Sequence, residues 1–217
     1  MKRFIVIGMG NFGSTVAEEL LNLDCEVTAI DSDKSRVQAL HEHPRLIAIL
    51  ADATDRNFLE KLDIQNADSI VISTGRNSHA SILMALHLSE LKAKEIVVKA
   101  NSQEHAKILL KVGATEAVIP ERQMAVKVAH SLAQPNLVDY LPLGEDYHIA
   151  EIMAPAEFAN KNLAELRLRS QYQVQVIATK NSVTNKFNFV IDGDYKIKAT
   201  DILVILGKQE DINKLRA

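Results

Sequence analysis

The sequence predicts an α/β protein: a doubly wound parallel sheet of six strands, followed by a small α+β lobe. Three observations predict it. Short apolar runs rich in Ile and Val recur at roughly even spacing through the first 120 residues. Helix-like stretches lie between them, the alternation that builds parallel sheets covered on both faces. Beyond residue 148 the pattern shifts to runs that alternate apolar and polar residues, as strands with one wet face do.

The first strand is "FIVIG" (4–8), followed by "STVAEELLNL" (14–23), whose Val16, Leu20 and Leu23 share a helical face. "EVTAID" (26–31) and "LIAIL" (46–50) are strands two and three, and "SIVIST" (69–74) is strand four. The helix "HASILMALHLSEL" (79–91) carries Ile82, Leu83, Leu86 and Leu91 on its apolar side. "EIVVKA" (95–100) is strand five, and "SQEHAKILLKVG" (102–113) is a helix opened by Ser102 and stopped by Gly113. Strand six, "EAVIP" (116–120), leads into a last amphipathic helix, "PERQMAVKVAHSLA" (120–133).

The segment that follows, from 134 to 147, holds two prolines and a glycine and reads as a connection. Its Leu137, Val138, Tyr140 and Leu141 are more apolar than a free linker needs, so it is expected to pack, in a second copy of the chain among other places. In the last part "HIAEIMAP", "QVQVIATK", "FNFVI" and "DILVILG" are strands, while "NLAELRLR" and "EDINKLRA" are short helices. The expected organisation is a nucleotide-binding domain over 1–133, a crossover segment over 134–147 and a small α+β domain over 148–217.

Composition narrows the function. A net charge of −3 offers no electrostatic basis for binding nucleic acid or anionic lipid. The single cysteine, Cys25, allows no internal disulfide and points to a reducing cytosol. The basic, apolar start "MKRFIVIGMGN" is too brief for a signal peptide and breaks into a glycine turn. No segment approaches the ~20 consecutive apolar residues that span a bilayer. A membrane role therefore comes through a partner.

The glycine turn "GMGNFG" (8–13) follows the first strand and opens a helix, and Asp31 ends the second strand eighteen positions after Gly13. Strand, turn, helix and distant acid in that order make the Rossmann-like arrangement that grips a dinucleotide. Gly8 permits the tight turn, Gly10 lets phosphate oxygens near the backbone, and Gly13 lets the helix sit close to the strand. With Asn11 and Phe12, these residues present the N–H groups of a helix start to a phosphate. The Asp31 carboxylate suits both ribose hydroxyls and repels a 2′-phosphate, which favours NAD(H) or ATP/ADP over NADP. The competing reading is a structural turn beside a solvent-exposed Asp31. Three more strand ends fall on the same carboxyl edge: "ADAT" (51–54), "STGRN" (73–77) and "KAN" (99–101). Asp52, Ala53, Thr74 and Gly75 would flank the adenosine and Lys99 would face the phosphates, although Asp52 and Thr74 serve equally well as loop or cap residues.

Evidence for catalysis is thin. Apart from His148 in the small lobe, the seven histidines avoid the strand tips, and no Gly-x-Ser-x-Gly, Cys-x-x-Cys or His-Glu-x-x-His motif is present. The chain is read as a non-enzyme with no catalytic residues. A small NAD-dependent oxidoreductase is the alternative from another class, and a nucleotide-binding regulator of a different channel or exporter is a third.

The runs "FIVIGMGNFGSTVAEEL", "EVTAID", "ADATD", "ADSIVISTG", "VVKAN" and "LLKVGATEAVIPERQMA", then "NLAELRLRSQYQVQVIATK" and "GDYKIKATDILVILG", together resemble the RCK regulatory subunits of bacterial Trk/Ktr potassium transporters. "GATEAVIPE" and "DGDYKIKATDILVILG" are more distinctive than the glycine motif. The resemblance implies a non-catalytic, cytoplasmic nucleotide sensor that gates a membrane potassium-transporting subunit from the inner face of the cell membrane. It also implies homodimers that close into an octameric ring. On the same ground, NAD(H) or ATP/ADP occupies the site formed by Gly8, Gly10, Gly13, Asp31, Asp52, Ala53, Thr74, Gly75 and Lys99. Glu121 matches an acidic residue that, in Ktr-type members, helps hold Mg²⁺ or Ca²⁺ at ATP phosphates; as a first-turn glutamate it equally suits the helix dipole. Asn11 stands where Ktr-type members often carry an arginine that reaches a terminal phosphate, which bears on ATP against ADP. Some members bind cyclic di-AMP in the small lobe, where Arg167 and Arg169 would meet an anion or remain solvated helix charges.

Overall fold

A computed structural model describes residues 1–75, 77–133, 137–143 and 146–215. It divides into two compact units, Met1–Glu121 and Arg122–Ala217.

In the first unit the elements are β1 (Arg3–Ile7), α1 (Asn11–Asn22), β2 (Glu26–Asp31), α2 (Lys34–Gln38), β3 (Leu46–Leu50), α3 (Arg56–Leu59), β4 (Ser69–Ile72), α4 (Ser78–Glu90), β5 (Ile96–Lys99), α5 (Gln103–Lys111) and β6 (Glu116–Val118). All six strands are parallel, in the order β3-β2-β1-β4-β5-β6. Successive strand residues face opposite sides of the sheet. Ile5, Ile7, Ile30, Ile70 and Ile72 therefore pack with Met84, Ala85 and Leu88 of α4 and Leu109 of α5. Val6, Val27, Ala29 and Val71 pack on the other side with Ala17 of α1. Two buried faces explain why these strands lack polar alternation.

Local chemistry sets the helix starts. The Asn77 side chain accepts the Ala80 N–H ahead of α4, and Ser102 accepts the His105 N–H ahead of α5. Three sequence expectations shift in detail. Strand β3 lies at the sheet edge, so Ile47 is 63% and Leu50 51% exposed despite the apolar run. In α4 the buried face is Ser81, Met84, Ala85 and Leu88, while Leu83 and Leu86 face outward. Leu23, expected on the inner face of α1, caps its end and is exposed.

Helix α6 (Pro120–Ala133) carries the chain from the first unit into the second. There follow β7 (Leu137–Leu143), β8 (Tyr147–Met153), α7 (Leu163–Leu166), α8 (Leu168–Gln171), β9 (Gln175–Asn181), β10 (Phe187–Asn188), β11 (Asp201–Lys208) and α9 (Gln209–Lys214). They build an antiparallel sheet in the order β10-β9-β11-β8-β7. Its core joins Ile152, Leu203 and Ile205 to Phe158, Leu166, Leu168, Val174, Ile197 and Ile212.

The organisation expected for 134–147 changes here. Residues 137–143 are a strand paired with β8, and residues 134–136 and 144–145 lie outside the described residues. The proline that suggested a connection, Pro142, sits in a strand at the sheet edge, the place in a sheet where proline is tolerated. The unit boundary correspondingly falls after Glu121 rather than after residue 133.

Candidate functional site

The glycine loop joins β1 to α1 at the carboxyl edge of the parallel sheet. Gly8 has φ +94°, a left-handed conformation that side chains avoid, and a Cβ there would meet the Ser73 carbonyl oxygen at 2.5 Å. A Cβ on Gly13 would lie 1.9 Å from the Gly8 carbonyl oxygen, so only glycine lets the helix start press against the loop. Gly10 differs: nothing lies within 4 Å of its Cβ position. Neither the fold nor φ demands glycine there, which leaves the backbone open to a ligand. Gly10 is also the N-cap of α1 and supplies no side-chain cap to the first-turn N–H groups. Asn11 is exposed at this helix start, while Phe12 is half-buried against the core beneath α1.

Asp31 ends β2 and is only 6% exposed. Its Oδ2 accepts the Met9 N–H at 2.6 Å and its Oδ1 accepts the Asp33 N–H at 2.8 Å. One carboxylate thus ties the middle of the glycine loop to the tip of the second strand. Arg36 of α2 stands at the rim, its guanidinium 3.4 Å from Asp31 Oδ2 and 3.7 Å from Asp33. A carboxylate offers about four acceptor positions, so Asp31 keeps capacity for a ribose hydroxyl beside its two backbone donors.

Between these groups lies a cleft of about 340 Å³ whose lining includes Gly8, Asp31, Asp52, Ala53, Thr74 and Gly75. Six of the residues expected at a nucleotide site are therefore brought to one concavity. Asp52 also closes its own turn. Its Oδ1 accepts the Thr54 N–H at 2.9 Å and the Thr54 hydroxyl at 2.7 Å, and these bonds hold its carboxyl below the usual carboxylate range. Thr74 Oγ1 is buried with no hydrogen-bond partner among the described residues. An orphaned hydroxyl at a cleft wall is satisfied by a ligand or by water. The residues present fit a nucleotide: an open backbone at Gly10, a helix start without a side-chain cap, and a buried carboxylate at the tip of the second strand.

Sequence reasoning missed Arg36, which lines the same cleft. Its only signal was a position five residues past Asp31 on the following helix, which by itself reads as a solvated charge.

Lys99 and Glu121 are not among the cleft-lining residues. They meet each other instead, Lys99 Nζ lying 2.5 Å from Glu121 Oε1. The lysine beside it holds the Glu121 carboxyl below its ordinary range. No cluster of three or more His, Cys, Asp or Glu side chains suited to a metal occurs among the described residues. A divalent cation at Glu121 would therefore draw its remaining ligands from nucleotide phosphates or from another chain.

In the second unit Arg167 and Arg169 line a common cavity of about 510 Å³ with Leu163, Gln175 and Ile191. Arg167 adopts a left-handed φ of 45° that separates α7 from α8, and Arg169 bonds the Gln175 side-chain oxygen. His148 is buried on β8 and belongs to the second unit, whereas the glycine-loop cleft belongs to the first. No described helix is long and apolar enough to cross a membrane.

Known proteins share this layout. A family model for the TrkA-N domain matches residues 4–120, and one for the TrkA-C domain matches residues 147–217. The chain is 35% identical over 219 residues to Ktr system potassium uptake protein C of Bacillus subtilis (strain 168), covering 98% of this chain and 95% of that one. Ktr system potassium uptake protein A of the same organism is 34% identical over 213 residues, with the same coverage of 98% and 95%. Among solved structures, the GsuK RCK domain superposes with a TM-score of 0.69 at 16% identity. That match covers 99% of this chain and 47% of the GsuK chain, so the present chain spans about half its length.

Proposed function

We propose a function from one premise: this chain belongs to the family of proteins built from a TrkA-N and a TrkA-C domain. It is homologous to Ktr potassium uptake proteins over nearly its whole length, and its role is the regulation of potassium transport. It acts as a sensor rather than an enzyme. NAD(H), ATP or ADP binds in the glycine-loop cleft and is not turned over, and the membrane potassium-transporting subunit reads the resulting change of shape. The observation that carries this reading is one cleft lined by Gly8 of the glycine loop, the buried Asp31 at the tip of the second strand, and Thr74 with its unpartnered hydroxyl. The cavity holding Arg167 and Arg169 offers two guanidiniums to a second, anionic messenger such as cyclic di-AMP.

Assembly follows from exposed apolar surface. Met124, Val128 and Leu132 recur every four residues on α6 and are 60%, 47% and 78% exposed. A second set, Leu83 and Leu86 on α4 with Ile108 and Leu110 on α5, is likewise uncovered. A lone chain rarely leaves two such faces wet. A homodimer covers one and a closed, octameric ring of dimers covers the other. The ring sits at the inner face of the membrane through its transporter partner. Its shape responds to nucleotide only as far as the ligand prefers one shape over another.

The test is calorimetry with NAD⁺, NADH, ADP and ATP, each with and without Mg²⁺, alongside light scattering. Binding without consumption, to a dimer or larger assembly, is expected. Oxidation of NADH with carbonyl substrates at ~1 per second or faster would overturn the sensor reading. A monomer at all concentrations would overturn the assembly.

A further inference from the structure

We infer that the Lys99–Glu121 ion pair is a latch that the phosphates of a bound nucleotide open, releasing the first turn of α6. The inference rests on the nucleotide reading of the glycine-loop cleft.

Strand register places the lysine. Ile7, Ile72 and Val98 are direct neighbours on β1, β4 and β5, so Gly8, Ser73 and Lys99 follow them in one row along the carboxyl edge. Strands lie about 4.8 Å apart, which sets the Lys99 backbone roughly 10 Å from Gly8. A lysine side chain and a phosphate together span that gap. With Asn11 neutral in the glycine loop, Lys99 is the cation nearest the phosphate end among the site residues the sequence singles out.

The lysine is already engaged. Its side chain is 16% exposed, whereas that of Glu121 is 66% exposed. The more enclosed partner stands on a strand of the sheet, and the exposed one is free to leave. Glu121 follows Pro120 in the first turn of α6, and the boundary between the two units falls immediately after it. The pair therefore pins to the sheet the start of the helix that leads into the second unit. A phosphate oxygen and the Glu121 carboxylate compete for the same ammonium group. When phosphate takes it, the glutamate is released, free to meet a divalent cation, and the helix start loses its pin.

The latch makes the two partners act with opposite sign. Metal-free ADP is the probe, and adenosine, which lacks phosphate, is the control. Glu121→Gln removes the competitor and should tighten ADP about two- to fivefold, the range of an exposed ion pair. Lys99→Gln removes the phosphate's partner and should weaken ADP about tenfold or more. Adenosine should bind both variants and the parent chain alike, which also reports that each variant is folded. Hydrogen exchange supplies a second reading. ADP should speed exchange of the amides at 121–125 in the parent chain, and in Glu121→Gln those amides should exchange fast without it. If Glu121→Gln weakens ADP as Lys99→Gln does, the pair is a static brace and the latch is wrong. The latch also falls if ADP binds and exchange at 121–125 is unchanged. Should ADP fail to bind the parent chain, the latch falls; should NAD(H) and ATP fail as well, the nucleotide reading falls with it.

Discussion

Asp31→Asn tests whether one buried carboxylate holds the glycine loop in place. Two backbone donors, the N–H groups of Met9 and Asp33, approach its two oxygens at 2.6 and 2.8 Å. Asparagine keeps the shape but offers one oxygen and one NH₂ group. Whichever way the amide turns, one backbone N–H faces another donor. The change removes one bond to a charged acceptor and demotes the other to a neutral one; each charged bond contributes about 1.5–3 kcal/mol. Arg36 adds little, because its guanidinium is half exposed and screened by water. The expected loss is on the order of 2–4 kcal/mol, a large share of the ~5–15 kcal/mol that holds a domain together. For a unit of 121 residues this corresponds to a fall in melting temperature on the order of 10 °C. Thermal unfolding of ligand-free protein, followed by circular dichroism, reads it directly. A midpoint within about 2 °C of the parent would refute the loop-tethering role and leave Asp31 as a ligand contact alone. The same experiment guards against misreading binding data. Loosening the loop weakens phosphate and ribose contacts together, so lost affinity in an Asp31 variant does not isolate the ribose bond.

Gly10→Ala and Gly13→Ala should part company. The first places a methyl in open space and should keep the melting temperature while weakening ADP and NADH; the second drives a Cβ to 1.9 Å from the Gly8 carbonyl oxygen and should unfold the first unit. Calorimetry and thermal melts on both variants check this, and equal melting points would contradict the steric assignment. His105 predicts a pH dependence. It is 7% exposed, its Nδ1 accepts the Asn101 N–H at 3.2 Å, its Nε2 faces the Ser81 hydroxyl at 3.1 Å, and burial lowers its pKa. A histidine held neutral costs nothing above the unfolded pKa of about 6.5; stability is lost as pH falls below it, down to the folded pKa. His105→Gln should lose less stability than the parent between pH 7.5 and 5.5 in denaturant melts, and parallel losses would exclude His105 as the source.

The repeating Ile/Val runs and the chemistry of "GMGNFG" were enough to read the parallel sheet, its alternating helices and the spacing from Gly13 to Asp31. These are local properties: period, turn chemistry and helix caps are written within a few residues of where they act. Burial was less legible. Nothing in "LIAIL" distinguishes an edge strand from a central one, and the apolar Leu83 and Leu86 look like core until α4 is seen against its sheet. The segment 137–143 read as a connection because Pro142 signals a break, yet an edge strand tolerates it.

What the sequence by itself determined is the fold class and the tight glycine turn between the first strand and helix, since both are carried by short-range pattern. Only the tertiary structure decided which charges meet. Asp31 reaching back to Met9, Arg36 entering the cleft and Lys99 closing on Glu121 all join residues from separate elements. Such pairings depend on strand order and register, and those are settled by burying two apolar faces at once rather than by any stretch of sequence alone.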